Sequence, residues 1–246
     1  MRYFLEISYD GNDFHGWQVQ KNAHSLQQEM NTALSKLLPE DIRCMGCGRT
    51  DTAVHAKQFF LHFDTEKKDV SQLVYRLNKM LPKSIAAHRL IEVAPNAHTR
   101  FDAREREYVY YIHFTKNPFL AQQSFHYFLD PLDIKLMQQA ADLLINYKSF
   151  ESLCRKDPDA NNYLCDVRYA RWEILENGQW RFTIRANRFL RSMVRKIVGS
   201  LIMIGRGKMD IATFDKTIKA RQPFKYIMPV QGYGLYLSRV TYPYID

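Results

Sequence analysis

The sequence predicts an α+β fold made of two pseudo-repeated βαββαβ halves, with largely antiparallel sheets packed around a central cleft. Three observations carry this. Residues 1–98 read as strand, helix, strand, strand, helix, strand, which is the split βαβ order. A second series of the same kind starts near residue 99, past a junction at 95–105 that holds no low-complexity linker. Asn177-Gly178 lies between two β-prone runs and is a strong hairpin signal. The expected halves are therefore 1–98 and 99–246.

In order, Tyr3 to Ser8 alternate as a strand and Asp10-Gly11-Asn12-Asp13 ends it with turn chemistry. A polar, aromatic loop follows through His15, Gly16 and Trp17. Ser25 is a helix N-cap with Gln28 at the capping-box position, and Leu26, Met30, Ala33, Leu34, Leu37 and Leu38 recur at helical spacing until Pro39. Strands at 42–45 and 57–63 flank a glycine-rich segment. A helix is expected over Val70–Met80 and a strand over Ile85–Val93. The second half opens with an aromatic strand at Tyr108–Phe114, in which Tyr110 and Tyr111 point to opposite faces. Then come a helix over Asp133–Ile145, hairpin strands over Asp166–Glu176 and Trp180–Ala186, helices over Phe189–Ile204 and Ile211–Ala220, and a last strand over Leu235–Val240.

Composition narrows the function. Hydrophobic content of 46% with 25% charged residues is that of an ordinary globular protein. No apolar run approaches the ~20 residues of a spanning helix, and the first residues lack a secretory layout, so no membrane is expected and the expected address is the cytoplasm. Four cysteines, at 44, 47, 154 and 165, make neither a disulfide framework nor a zinc-ribbon spacing. A net charge of +9 with 13% aromatic residues fits a polyanion binder, because cations capture phosphates and aromatic faces stack on bases.

The chemistry concentrates in Gly46-Cys47-Gly48-Arg49-Thr50-Asp51-Thr52-Ala53-Val54-His55-Ala56. A carboxylate between two strands is held rigidly, and the glycines at 46 and 48 permit positive φ or close approach of another segment. Spacing alone leaves two readings open, a catalytic loop and a charged hairpin whose Gly and Asp are turn formers. A second concentration is cationic. From Asn177 to Met209 there is no acidic residue, while Arg181, Arg185, Arg188, Arg191, Arg195, Lys196, Arg206 and Lys208 all fall there. Such one-sided charge repels itself unless an anion offsets it, which points to a phosphate-binding surface, with Arg191 and Arg195 four apart on one helix face.

In order and spacing these motifs resemble the bacterial tRNA pseudouridine synthases that act on the anticodon arm, the TruA family. The blocks are Tyr9-Asp10-Gly11, Gly16-Trp17-Gln18 with Gln20, Leu26-Gln27, Gly48 to Ala56 against the signature G-R-T-D-A-G-V-H-A, and His98 to Ala103. They continue with Arg106-Glu107-Tyr108-Val109-Tyr110, Ala186 to Phe189, Met193 to Gly199 and Gly234-Leu235-Tyr236-Leu237. The resemblance implies isomerisation of uridine to pseudouridine at tRNA positions 38, 39 and 40. Asp51 matches the catalytic carboxylate, Arg195 its basic partner, and Tyr108 the tyrosine that stacks on the target base and takes part in proton transfer. Arg49 matches the arginine that holds out the flipped nucleotide, and Arg188 and Arg191 fall to substrate binding. Neither a metal nor an organic cofactor is implied, and the family is homodimeric with a tRNA spanning both subunits.

Three departures stand out. Thr52-Ala53 replaces Ala-Gly after the aspartate, Asp102 stands where serine is usual, and Asn161 to Asp166 lacks a basic residue often found there. The last two bear on which uridines are accepted. The competing class is a non-catalytic RNA-binding module with RRM-like halves, but residues 106–111 lack the glycines of its RNP1 pattern. His15 and His55 are read as structural.

Overall fold

The computed structural model describes residues 1–67, 69–156, 162–227 and 229–245. Five α-helices and mostly antiparallel strands among these residues give the α+β class that the periodicities predict. The chain divides into two units, Met1–Arg104 with Tyr236–Asp246, and Glu105–Leu235. The division differs from the expected halves at the C-terminus, where residues 236–246 fall in the first unit.

The first unit contains β1 (Arg2–Tyr9), α1 (Leu26–Leu37), β2 (Met45–Gly46), β3 (His55–Asp64), α2 (Leu73–Met80) and β4 (Ile85–Val93). β1 runs antiparallel to both β3 and β4, and β2 antiparallel to β3, so the order is β4-β1-β3-β2. The C-terminal strand, Leu235–Thr241, lies parallel beside β3 through His55↔Tyr236 and Ala56↔Leu237. Ser25 caps α1 as expected, its hydroxyl accepting from the Gln28 amide, and Leu26, Met30 and Leu34 are fully buried. α2 starts three residues later than expected because the Asp69 carboxylate accepts from the Ser71 amide and hydroxyl, a local turn that competes with helix.

Phe59, Phe60, Leu61 and Phe63 are all buried, so β3 has two covered faces and reads as a continuous apolar run rather than an alternating one. Phe60 and Phe4 meet Tyr242 edge-on at 5.2 and 5.4 Å. His62, stacked on Phe4 at 6.0 Å, is buried, its Nδ1 2.8 Å from the Thr99 hydroxyl and accepting from the Thr99 amide at 3.4 Å. Burial, then the nearby His98 and Arg2, push its pKa down to about 4. An unfolded histidine titrates near ~6.5, so the unfolded chain takes up this proton first as pH falls. Stability is thus expected to drop between pH 6.5 and about 4. Denaturant unfolding of wild type against His62→Gln across that range checks this, the variant showing a flatter slope.

The second unit contains β5 (Glu105–His113), β6 (Phe125–His126), α3 (Ile134–Asp142), β7 (Val167–Ile174), β8 (Trp180–Ala186), α4 (Met193–Gly205) and α5 (Ile211–Lys219). β8 pairs antiparallel with both β5 and β7, and β6 lies parallel to β5. The predicted hairpin turn is present, with the Leu175 amide donating to Gln179 O and the Gly178 amide to Leu175 O. α3 ends at Asp142 and continues as a 3₁₀ turn over Leu143–Asn146. α4 starts at Met193, four residues later than its apolar stripe suggests, because Ser192 takes a left-handed φ of +58° that breaks the helical path. Arg191 therefore lies in the turn before α4, and Arg191 and Arg195 do not share a helix face.

Candidate active site

Asp51 lies in the connection between β2 and β3, and the backbone of the loop after β1 holds that connection. The Trp17 amide donates to Thr50 O at 3.2 Å, the Ala53 amide to Phe14 O at 3.3 Å, and the Val54 amide to Asp51 O at 3.2 Å. Beneath them the Tyr9 hydroxyl and Thr50 Oγ1 are 2.9 Å apart in a buried hydrogen bond. Gly16 makes the approach possible. Its φ is +87°, and a Cβ on it would stand 2.4 Å from Thr50 O. These partners lie some forty residues away in sequence, so the sequence marks both segments without showing that one cradles the other.

The expected role of the flanking glycines holds at one position only. A Cβ on Gly46 would meet the Trp17 ring at 2.6 Å and Phe59 at 2.7 Å, whereas one on Gly48 would meet nothing within 4 Å. Asp51 itself is half-buried and Arg49 is exposed. Arg49 makes no hydrogen bond or ion pair among the described residues, so its guanidinium is available to an outside ligand.

His55 is built into the scaffold. It is buried, stacked on Tyr236 at 4.4 Å, and its Nδ1 is 3.1 Å from the Gly11 amide and 3.2 Å from Asp10 Oδ1. The His55 contact, assisted by Asn12, holds the Asp10 carboxyl below its usual range despite partial burial.

Ala53 adopts φ +59°, where the family signature has glycine. A left-handed residue with a Cβ is strained by ~1–2 kcal/mol, partly offset by the ~0.5–1 kcal/mol that glycine loses in conformational freedom. Ala53→Gly is therefore expected to stabilise the protein by about 0.5 to 1 kcal/mol, read as a higher denaturant midpoint with unchanged m-value. The Asp102 departure is also accommodated. Its carboxylate accepts from the Tyr244 hydroxyl at 2.6 Å and the His98 amide at 2.7 Å, and these bonds, the first above all, hold its pKa down. Asn161 lies outside the described residues, and Asp166 is paired with Lys148 and Arg168.

In the second unit, Tyr108 sits in β5 opposite Ile184, and its ring meets Phe189 edge-on at 5.1 Å. Its neighbour but one is Tyr110. It is fully buried, donates to Gln231 O at 3.0 Å, and its phenol is pushed well above the usual range by burial. Arg195 stands in the first turn of α4, half-buried, with Nε donating to Val230 O at 2.7 Å and its own carbonyl accepting from the Val230 amide at 3.3 Å. That double attachment fixes the start of the guanidinium. Arg188 lies in the β8–α4 connection near Asn162, and Arg191 is exposed.

The basic run is less naked than it reads. Arg181 pairs with Glu173 at 2.8 Å, Arg185 with Glu107 at 2.6 Å, and Arg206 with Asp130 at 2.9 Å, while Lys196 donates to Cys154 O. The carboxylates come from the paired strands β7 and β5 and from a distant loop, so the inference from self-repulsion is corrected for these residues. Solvent screens such surface pairs, so each adds little to stability. Arg188 and Arg191 are in no ion pair among the described residues.

All four cysteines are buried thiols, and burial pushes Cys44 and Cys165 up to about 12, which keeps them protonated and unreactive. Among the described residues no three His, Cys, Asp or Glu side chains converge as metal ligands, and no helix is long and apolar enough to cross a membrane.

The first unit thus carries a half-buried carboxylate, Asp51, on a glycine-cradled loop, and the second carries the buried Tyr108 on β5 and the backbone-anchored Arg195 on α4. The family model described as tRNA pseudouridine synthase matches residues 140–243. A relative in Bacteroides fragilis named tRNA pseudouridine synthase A is 40% identical over 98% of this chain and 96% of its own. Relatives of the same name in Chlorobium luteolum and Legionella pneumophila are 36% and 34% identical, again over nearly the whole chain. The chain belongs to the tRNA pseudouridine synthase A family.

Proposed function

We propose that this protein isomerises uridine to pseudouridine in the anticodon arm of tRNA, with Asp51 as the catalytic carboxylate. The observation that carries the reading is the similarity, over nearly the full length, to relatives named tRNA pseudouridine synthase A. The reaction breaks the C1′–N1 bond, turns the base, and forms a C1′–C5 bond. N1 gains a proton and C5 loses one, so the change is redox-neutral and needs neither metal nor organic cofactor. A positioned carboxylate serves such chemistry as nucleophile or base.

The other roles follow the matched positions. Tyr108 stacks on the target base and relays a proton. Arg195 pairs with Asp51. Arg49 fills the space left by the flipped nucleotide, whose extrusion costs a few kcal/mol, and Arg188 and Arg191 hold phosphates. The same proposal includes two pseudo-repeated halves around a central cleft, a homodimer with tRNA spanning both subunits, and a cytoplasmic location. The first unit's β4-β1-β3-β2 order is what one such half requires. The test is incubation with tRNA carrying tritium at uridine C5. Release of tritium is expected. Tight tRNA binding with no release from any tRNA would favour the RNA-binding module instead.

A further inference from the structure

The second unit holds a cavity of about 300 Å³ beside the C-terminus of α5, outside the residues given roles above. Leu143 and Ile218 contribute apolar lining, and the polar lining includes Tyr147, Lys148, Ser149, Asp215, Lys219 and Arg221. We propose that this cavity anchors a backbone phosphate of the tRNA, away from the reacting uridine. The inference rests on the tRNA reading of the preceding subsection.

Charge is the first argument. Three cations line the cavity against one carboxylate, and that carboxylate is already engaged. Asp215 Oδ1 accepts from the Tyr147 hydroxyl at 2.7 Å, and its Oδ2 pairs with Lys219 at 2.7 Å. Lys148 leans on Asp166 at 3.2 Å. Arg221 is exposed and is in no hydrogen bond or ion pair through its side chain among the described residues. An anion would relieve this excess, and a guanidinium presents a fork of donors that matches phosphate oxygens.

Backbone conformation is the second, independent argument. Arg221 follows α5 with φ +54°, its amide donating to Ile218 O at 3.0 Å, a left-handed helix ending that glycine adopts most easily. A long cation thus occupies a strained position where the fold alone would favour glycine, and the same residue lines a cationic cavity. Strained residues of this kind gather at ligand sites. Ser149 adds a neutral polar residue to the lining.

Arg221→Gly separates the two roles, since it removes the charge and relieves the backbone together. The thermal midpoint is expected to hold or rise. The tRNA dissociation constant should rise about fivefold to tenfold at physiological salt, and the slope of log affinity against log salt should become shallower by about 0.7 to 0.9. The loss should fall on KM, and Arg221→Lys should recover part of the affinity. An Arg221→Gly protein that binds tRNA with wild-type affinity and salt slope would overturn the proposal. A free anion is tested by titrating inorganic phosphate. If phosphate protects wild type but not Arg221→Gly against heat while their tRNA affinities agree, the site serves a small anion and the RNA assignment fails. A wild type that binds tRNA without releasing tritium would contradict the synthase reading alone, because the affinity comparison still decides the anchoring site.

Discussion

Asp51→Asn is expected to lower pseudouridine formation by on the order of 10³ or more, the scale of losing a group that takes part in bond-making or proton transfer. Fold and tRNA affinity should stay near wild type. Asparagine keeps the size and shape of the side chain while removing its charge. The main-chain bonds Trp17 N–H to Thr50 O, Ala53 N–H to Phe14 O and Val54 N–H to Asp51 O, and the Tyr9–Thr50 hydroxyl bond, do not use the Asp51 carboxylate and survive the change. Tritium release, thermal unfolding and tRNA binding measured on one preparation separate the effects. A variant with near-native turnover would remove Asp51 from the chemistry.

Gly16→Ala should produce the second largest effect, by a different route. The added methyl carbon would stand 2.4 Å from Thr50 O in a residue already at φ +87°, so either the loop carrying Asp51 or the loop carrying Gly16 must move. Such clashes at special backbone angles cost about 2 kcal/mol or more. Displacing a reacting group by ~1 Å is enough to lower turnover by about a hundredfold. The expected result is a lower denaturant midpoint together with a kcat loss larger than the KM change. A destabilised variant with full kcat would show that the cradle supports the fold but does not position Asp51.

The elements that were legible in the sequence are those set by local rules. The Ser25 cap, the α1 stripe and the Asn177-Gly178 turn depend on residues within a few positions of one another, and all are found. The start of α4 was not legible, because Phe189 and Leu190 continue the apolar period while the backbone of Ser192 breaks the path. Pairing between distant segments was also hidden. The C-terminal strand joins β3 nearly two hundred residues away in sequence, which no periodicity encodes. The acidic partners of Arg181, Arg185 and Arg206 lie on other strands and loops. Asp51, Tyr108 and Arg195 were singled out by the order and spacing of motifs, since local physics left the Asp51 stretch divided between a catalytic loop and a charged turn. What the structure adds is how that stretch is held: Tyr9, Phe14 and Trp17 supply the hydrogen bonds and Gly16 the room for the two segments to approach.

The most direct test of the central claim is pseudouridine mapping of unmodified tRNA after incubation with the purified protein. The account predicts pseudouridine in the anticodon arm, absent when Asp51→Asn replaces wild type. Unchanged uridine throughout the arm with wild-type protein, or equal modification by the variant, would contradict it.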